Sequence, residues 1–166
     1  PVDQRVGQAG LEALSLGQAA ADRLPEEFAQ TLRTELRQYG APVHIIRTVP
    51  ARMKYDREEI RVTAGESIRL IFENNDTMPH NLVLVTIGSR EEVGRAADEM
   101  ATQPRAWEKG YVPESKKVLQ ATRLLKPGES ELLTFNVPSK PGKYEFVCTF
   151  PGHWRTMYGV FNVNPG

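Results

Sequence analysis

Ten consecutive residues, Cys148-Thr-Phe-Pro-Gly-His153-Trp-Arg-Thr-Met157, constrain this chain more than any other stretch. They place a thiol, an imidazole and a thioether on a strand end followed by a Pro-Gly turn. A tight loop there can fold His153 and Met157 back onto Cys148. Imidazole and thiolate in a trigonal plane, with a weak and long axial thioether, are the donors that suit copper. The missing imidazole is His80, in Met78-Pro79-His80-Asn81, about 70 residues upstream and just before a strand. Taken singly, each residue has a plainer role: a strand Cys or a lone Met fills core, and a His beside Pro marks a turn. Their coincidence on one turn outweighs that reading. Zinc matches the ligand types but prefers four strong ligands and rarely takes Met, so the set favours copper.

The rest of the composition narrows the alternatives. Cys148 is the only cysteine, so the chain has no intramolecular disulfide, and three histidines (His44, His80, His153) cap the imidazole supply. Twenty-one basic and twenty-one acidic residues cancel, which leaves no bulk field for nucleic acid or an anionic membrane. No apolar run approaches the roughly 20 residues of a membrane span. A start at Pro1, without Met or signal peptide, is expected of a processed protein or a segment of a longer one.

Two textures divide the chain into residues 1–40 and 41–166. In the first, Leu24, Phe28, Leu32, Leu36 and Tyr39 recur at helical spacing, with Pro25 suited to the first helical position and Gly40 to the stop. A helix around residues 8–22 is weakened by Gly10 and Gly17. This helical extension or linker either packs on the main domain or is the tail of a larger neighbour. From Ala41 onward the runs are β: Val43–Val49, Glu59–Thr63, Ser67–Glu73, Asn81–Ile87, Lys117–Leu124, Glu131–Val137, Lys143–Thr149 and Val160–Val163. Ile68, Leu70 and Phe72 share one face, as a half-buried strand requires. Seven or eight short strands punctuated by turns predict a mainly β, antiparallel sandwich or barrel. Between Gly88 and Lys116 the pattern lapses, and Glu91–Met100 can form a short helix.

These residues resemble the cupredoxins, and within them azurin and auracyanin. Cys-Thr-Phe-Pro-Gly-His with Met four residues on is similar to the azurin ligand loop, and Met-x-His-Asn-x-Val-Leu to its upstream half. Gly94-x5-Met100-Ala101 followed by Tyr111-Val112-Pro113 resembles the helical flap. The likeness covers roughly residues 43–164. It implies a Greek-key β-sandwich with copper under one end, a type 1 site with His80, Cys148 and His153 as ligands and Met157 axial, and one-electron transfer. It also implies a tie from Asn81 to Thr149 and amide donors from Asn81 and Phe150 to the sulfur. The carbonyl before the first histidine would belong to Pro79, where azurin has Gly, which leaves that further axial contact open. The chain departs from the pattern in lacking the azurin disulfide, in Trp154-Arg155 after the second histidine, and in its N-terminal helices. Such helices accord with fusion to a larger redox protein.

A carrier of this kind is expected outside the cytoplasm, in a bacterial periplasm, exchanging electrons with a partner such as a c-type cytochrome. Docking would fall near His153, on Met78, Pro79, Pro151 and Trp154; for Trp154, packing against the flap is an equal alternative. His44 reads as a structural or surface histidine. Once His80 and His153 are used only His44 remains, too little for the further coppers of a nitrite reductase or multicopper oxidase, so no enzyme is expected. The other class is a copper chaperone or storage module. Such sites use several Met or paired Cys for Cu(I), and four dispersed Met with one Cys fit it poorly.

Overall fold

Strands with one apolar face need a second layer to bury it, and the chain provides that layer as a second sheet of its own. The computed structural model describes residues 7–166. Among them are nine strands: β1 (Val43–Val49), β2 (Lys54–Tyr55), β3 (Glu59–Thr63), β4 (Ser67–Glu73), β5 (Val83–Val85), β6 (Val118–Ala121), β7 (Ser130–Asn136), β8 (Gly142–Val147) and β9 (Tyr158–Asn164). One sheet runs β2-β1-β4-β7 and the other β3-β9-β8-β5-β6. Ile68, Leu70 and Phe72 of β4 meet Phe146 of β8 and Phe161 of β9 in one continuous core. Cys148 and Met157 belong to that same core.

The mainly β sandwich matches the expectation, with two differences of detail. It is mixed rather than wholly antiparallel, because β1 pairs with β4 and β3 with β9 in parallel. After β1 and β2 the chain crosses to the other sheet for β3 and returns for β4, so β4 enters running the same way as β1. The strand expected at Asn81–Ile87 is also shorter. His80 leaves the ladder for an isolated bridge to Leu125, and only Val83–Val85 remains paired on both sides.

Three helices complete the fold: α1 (Gln8–Ala21), α2 (Glu26–Arg37) and α3 (Arg90–Met100). The helix weakened by glycine forms, and Gly17 has a use: a Cβ there would lie 3.0 Å from the Leu36 side chain of α2. Pro25 stands one position earlier than expected, at the N-cap of α2. The helices dock through α1 rather than through the α2 stripe, whose Leu24, Phe28 and Tyr39 stay exposed. Ser15 Oγ accepts the Ile45 amide (2.9 Å) on the side of β1 that faces away from β4. Asp22 Oδ2 accepts the Arg61 amide of β3 (3.4 Å), so α1 spans the gap between the two sheets.

His44, on β1, is 1% exposed and its Nδ1 has no hydrogen-bond partner. Burial, reinforced by the Arg57 and Arg33 charges, pushes its pKa down from the ordinary 6.5 to about 3. The unfolded chain therefore takes a proton near pH 6.5 that the fold refuses until near pH 3. Stability is complete above pH 6.5 and is lost as pH falls through that window. The slope is about 1.4 kcal/mol per pH unit for one proton. Denaturant titrations of metal-free protein between pH 7 and 4 should show His44→Leu losing less stability than wild type. Parallel pH curves for the two proteins would mean that His44 carries no such linkage.

Candidate metal centre

Sheet register brings the two halves of the site together. β5 and β8 pair antiparallel with Val83 opposite Val147, and continuing that register sets Leu82 opposite Cys148 and Asn81 opposite Thr149. β8 and β9 pair with Val147 opposite Tyr158, and the Cys148 amide donates to the Met157 carbonyl (3.0 Å). The whole ligand loop is thus the closed end of one hairpin. Within it Gly152 takes the left-handed conformation (φ +81°) and a single 3-10 turn, His153–Arg155, follows. That turn aims His153 back: its amide donates to Phe150 (2.9 Å) and its carbonyl accepts the Met157 amide (2.8 Å).

The result is a cluster of three donors. Cys148 Sγ lies 3.7 Å from His80 Nδ1 and 3.7 Å from His153 Nδ1, and all three ligand atoms fall within 4.8 Å of one another. His80, Cys148 and Met157 are 0% exposed and His153 is 5% exposed. The Phe150 ring packs on His153 with centroids 4.7 Å apart. Three of the side chains that the sequence singled out, His80, Cys148 and His153, are thus brought together, and Met157 shares the buried core with Cys148. His44 stands apart on β1.

Electrostatics match a cation site. Burial pushes the Cys148 thiol up to about 12, against hydrogen bonds from the Asn81 and Phe150 amides to the sulfur. At neutral pH only a cation can draw that proton off. Burial, with the neighbouring His80, pushes His153 down to about 4, and burial also lowers His80, so both imidazoles present free lone pairs at neutral pH. Two neutral imidazole nitrogens and one thiolate-forming sulfur in a dry pocket are a donor set that fits a single copper ion.

Three arrangements hold the donors in place. Asn81 Nδ2 donates to Thr149 Oγ1 (2.7 Å) and to the Gly110 carbonyl (2.8 Å), while its Oδ1 accepts the Thr149 amide (2.8 Å). Tyr55 donates its hydroxyl to the Asn81 carbonyl (2.7 Å). On the far side, Asp98 of α3 accepts the Gly152 amide (2.8 Å) and the Trp154 indole N–H (2.9 Å) and pairs with Arg155 (3.0 Å).

Trp154 is corrected here as a docking residue. It is 8% exposed and packs with Val83, Val85, Val93 and Val147 beneath α3. Gly94 makes this fit, because a Cβ there would sit 2.3 Å from the indole. Met78 remains exposed at the rim, with Pro79 and Pro151 half-buried. The sequence reading missed Asp76, whose Oδ2 lies 3.0 Å from His80 Nε2, because Asn74-Asn75-Asp76 reads as turn chemistry.

Comparison with known proteins agrees with this geometry. Residues 45–164 match the copper binding proteins of the plastocyanin/azurin family, and the chain belongs to that family. It is 32% identical to auracyanin-A of Chloroflexus aurantiacus over 114 residues, 68% of each chain. It is 36% identical to azurin of Pseudomonas aeruginosa over 91 residues, 53% of this chain and 58% of that one. The chain thus spans about two thirds of auracyanin-A but little more than half of azurin. Among solved structures, the dithionite-reduced auracyanin of Roseiflexus castenholzii superposes with a TM-score of 0.66 at 33% identity, covering 76% of this chain and all of that one. Auracyanin A, a "blue" copper protein, also superposes at 0.66, with 29% identity, 75% of this chain and all of its own covered.

The Gly94–Trp154 contact generates a stability test. Gly94→Ala should cost about 2 kcal/mol by forcing helix and ring apart. Glu92→Ala, on the exposed side of the same helix, should stay within about 0.5 kcal/mol of wild type. Urea unfolding of the metal-free proteins measures both. Equal midpoints for the two variants would show that α3 is not pressed against the ring.

Proposed function

We propose that this chain is a mononuclear blue copper electron carrier, with His80, Cys148 and His153 as the strong ligands and Met157 as a weak axial one. The observation that supports it best is the buried triangle of two neutral imidazoles and one sulfur, each nitrogen 3.7 Å from Sγ, with Cys148 and His153 on one hairpin and His80 brought beside them from the segment before β5. Copper would supply the one-electron Cu(II)/Cu(I) couple. The protein's part is to keep donor positions alike in both oxidation states, and the Asn81 and Asp98 hydrogen bonds serve that end by fixing the two ligand loops. The amides of Asn81 and Phe150 withdraw charge from the sulfur, which favours the reduced state. The Pro79 carbonyl is the candidate for a second weak axial contact.

Electrons would pass through His153, with the exposed Met78 and half-buried Pro79 and Pro151 as the proposed apolar contact for a docking redox partner. A c-type cytochrome outside the cytoplasm, in a bacterial periplasm, is the partner class suggested by family analogy. Among the described residues no helix is long and apolar enough to cross a membrane. A chaperone or storage role fits less well, because Cys148 is wholly buried and cannot hand its metal across a surface.

Addition of Cu(II) to metal-free protein should give an intense blue colour that bleaches on reduction and returns on oxidation. Cys148→Ser should lose it. Met157→Leu should stay blue with a shifted potential, since the trigonal donors remain. A protein that stays colourless and takes only Cu(I) would sink the carrier reading.

A further inference from the structure

His80 is fastened from behind by a group that no ligand motif announces. Asp76 is 5% exposed, and its Oδ2 lies 3.0 Å from His80 Nε2. Its Oδ1 accepts the Ala51 amide (3.0 Å) and the Thr77 amide (2.7 Å). Ala51 reaches that position with φ +57°, an unusual conformation for a residue with a Cβ. The loop itself is tied down from several directions. The Asp76 amide donates to Asn74 Oδ1 (3.1 Å), Thr48 Oγ1 donates to the same oxygen (3.2 Å), and Asn74 Nδ2 donates to the Met78 and Leu125 carbonyls. The His80 amide and carbonyl are both paired with Leu125.

The donor count around Asp76 decides its chemistry. Two backbone amides donate to Oδ1, and Oδ2 faces His80 Nε2. Two amide donors on Oδ1 favour the ionised carboxylate, which can only accept, so Oδ2 takes its hydrogen bond from Nε2, whereas an amide in its place could turn an N–H toward the ring. The imidazole is then Nε2–H, which frees Nδ1 toward Cys148. His153 has no carboxylate partner among the described residues, so the two imidazoles are not equivalent.

We propose that Asp76 is a positioning residue of the copper centre, fixing the tautomer of His80 and adding a buried negative charge that favours Cu(II) over Cu(I). The proposal rests on the carrier reading above. A carboxylate behind a metal-bound imidazole raises its basicity, and the more highly charged ion gains more from both effects. Asp76 therefore opposes the sulfur-directed amides, which favour the reduced ion, and the potential reflects their balance.

The test uses the full chain and Asp76→Asn. Nitrogen NMR of the metal-free wild type should show His80 in the Nε2–H form, and the variant should show a mixture or the other tautomer. Titration with Cu(II) and with Cu(I) should show the affinity ratio of Cu(II) to Cu(I) falling about tenfold in the variant. A one-electron couple reads that as a rise of about 59 mV in spectroelectrochemistry. A wild-type tautomer and potential both retained in the variant would overturn the proposal. If Asp76→Asn does not fold, the wild-type spectrum decides: Nε2–H upholds the assignment and Nδ1–H overturns it. A chain that never turns blue removes the carrier reading, while the tautomer of the metal-free protein still judges Asp76.

Discussion

The hydrogen bonds between Asn81 and Thr149 are the constraint on which the rest of the site depends. The candidate ligands come from two segments far apart in sequence, and the register of β5 against β8 brings them only to adjacent positions. The Asn81 amide then locks them, donating to the Thr149 hydroxyl and accepting from its backbone. In a fully buried setting those bonds cannot be exchanged for water, so the geometry they define is the one with all polar groups satisfied. A third bond, to the Gly110 carbonyl, extends the lock to the long excursion after α3. The apolar core places the sheets, and this one side chain aligns the loops.

Around that lock, opposing influences are built into neighbouring positions. Two amides aim at the sulfur, while Asp76 stands behind His80 on the other side of the site. Asp98 fastens the exposed end of the ligand loop from α3, with three donors converging on one carboxylate. The loop that carries His153 is thus held at both ends. Cys148 is closed onto Met157 at its base, and Gly152 and Trp154 are closed onto α3 near its tip. Little of it is free to rearrange when charge changes at the centre.

How much of this could be read from the sequence depended on how local the determinants are. The ligand loop was legible because it is one hairpin connection whose donors lie within ten residues. The sandwich was legible because Ile68, Leu70 and Phe72 recur at every second position and share one face of a single strand. Asp76 was not legible. Asn74-Asn75-Asp76 carries the composition of an ordinary turn, and only the fold turns its carboxylate toward His80. Trp154 stayed ambiguous because its burial is decided by a missing Cβ at Gly94, sixty residues away. Gly17 was read as a weakness of α1 when it is a point at which Leu36 packs against the helix with no room to spare for a Cβ. The α2 stripe misled in the opposite sense, since periodicity reports amphipathicity but not which partner covers it.

The seat of α1 has one more consequence. Over Val43–Arg47, β1 has a strand neighbour on the β4 side alone, and the outward-facing amides of Ile45 and Arg47 would otherwise be free ladder positions. Ser15 takes the first and Asp56 the second. Ser15 of the helix and Asp56, just past β2, thus offer side-chain oxygens in place of a strand, and the helix presents no continuing ladder of its own. Two ladder positions that could recruit a strand from another copy are therefore closed to that route of aggregation.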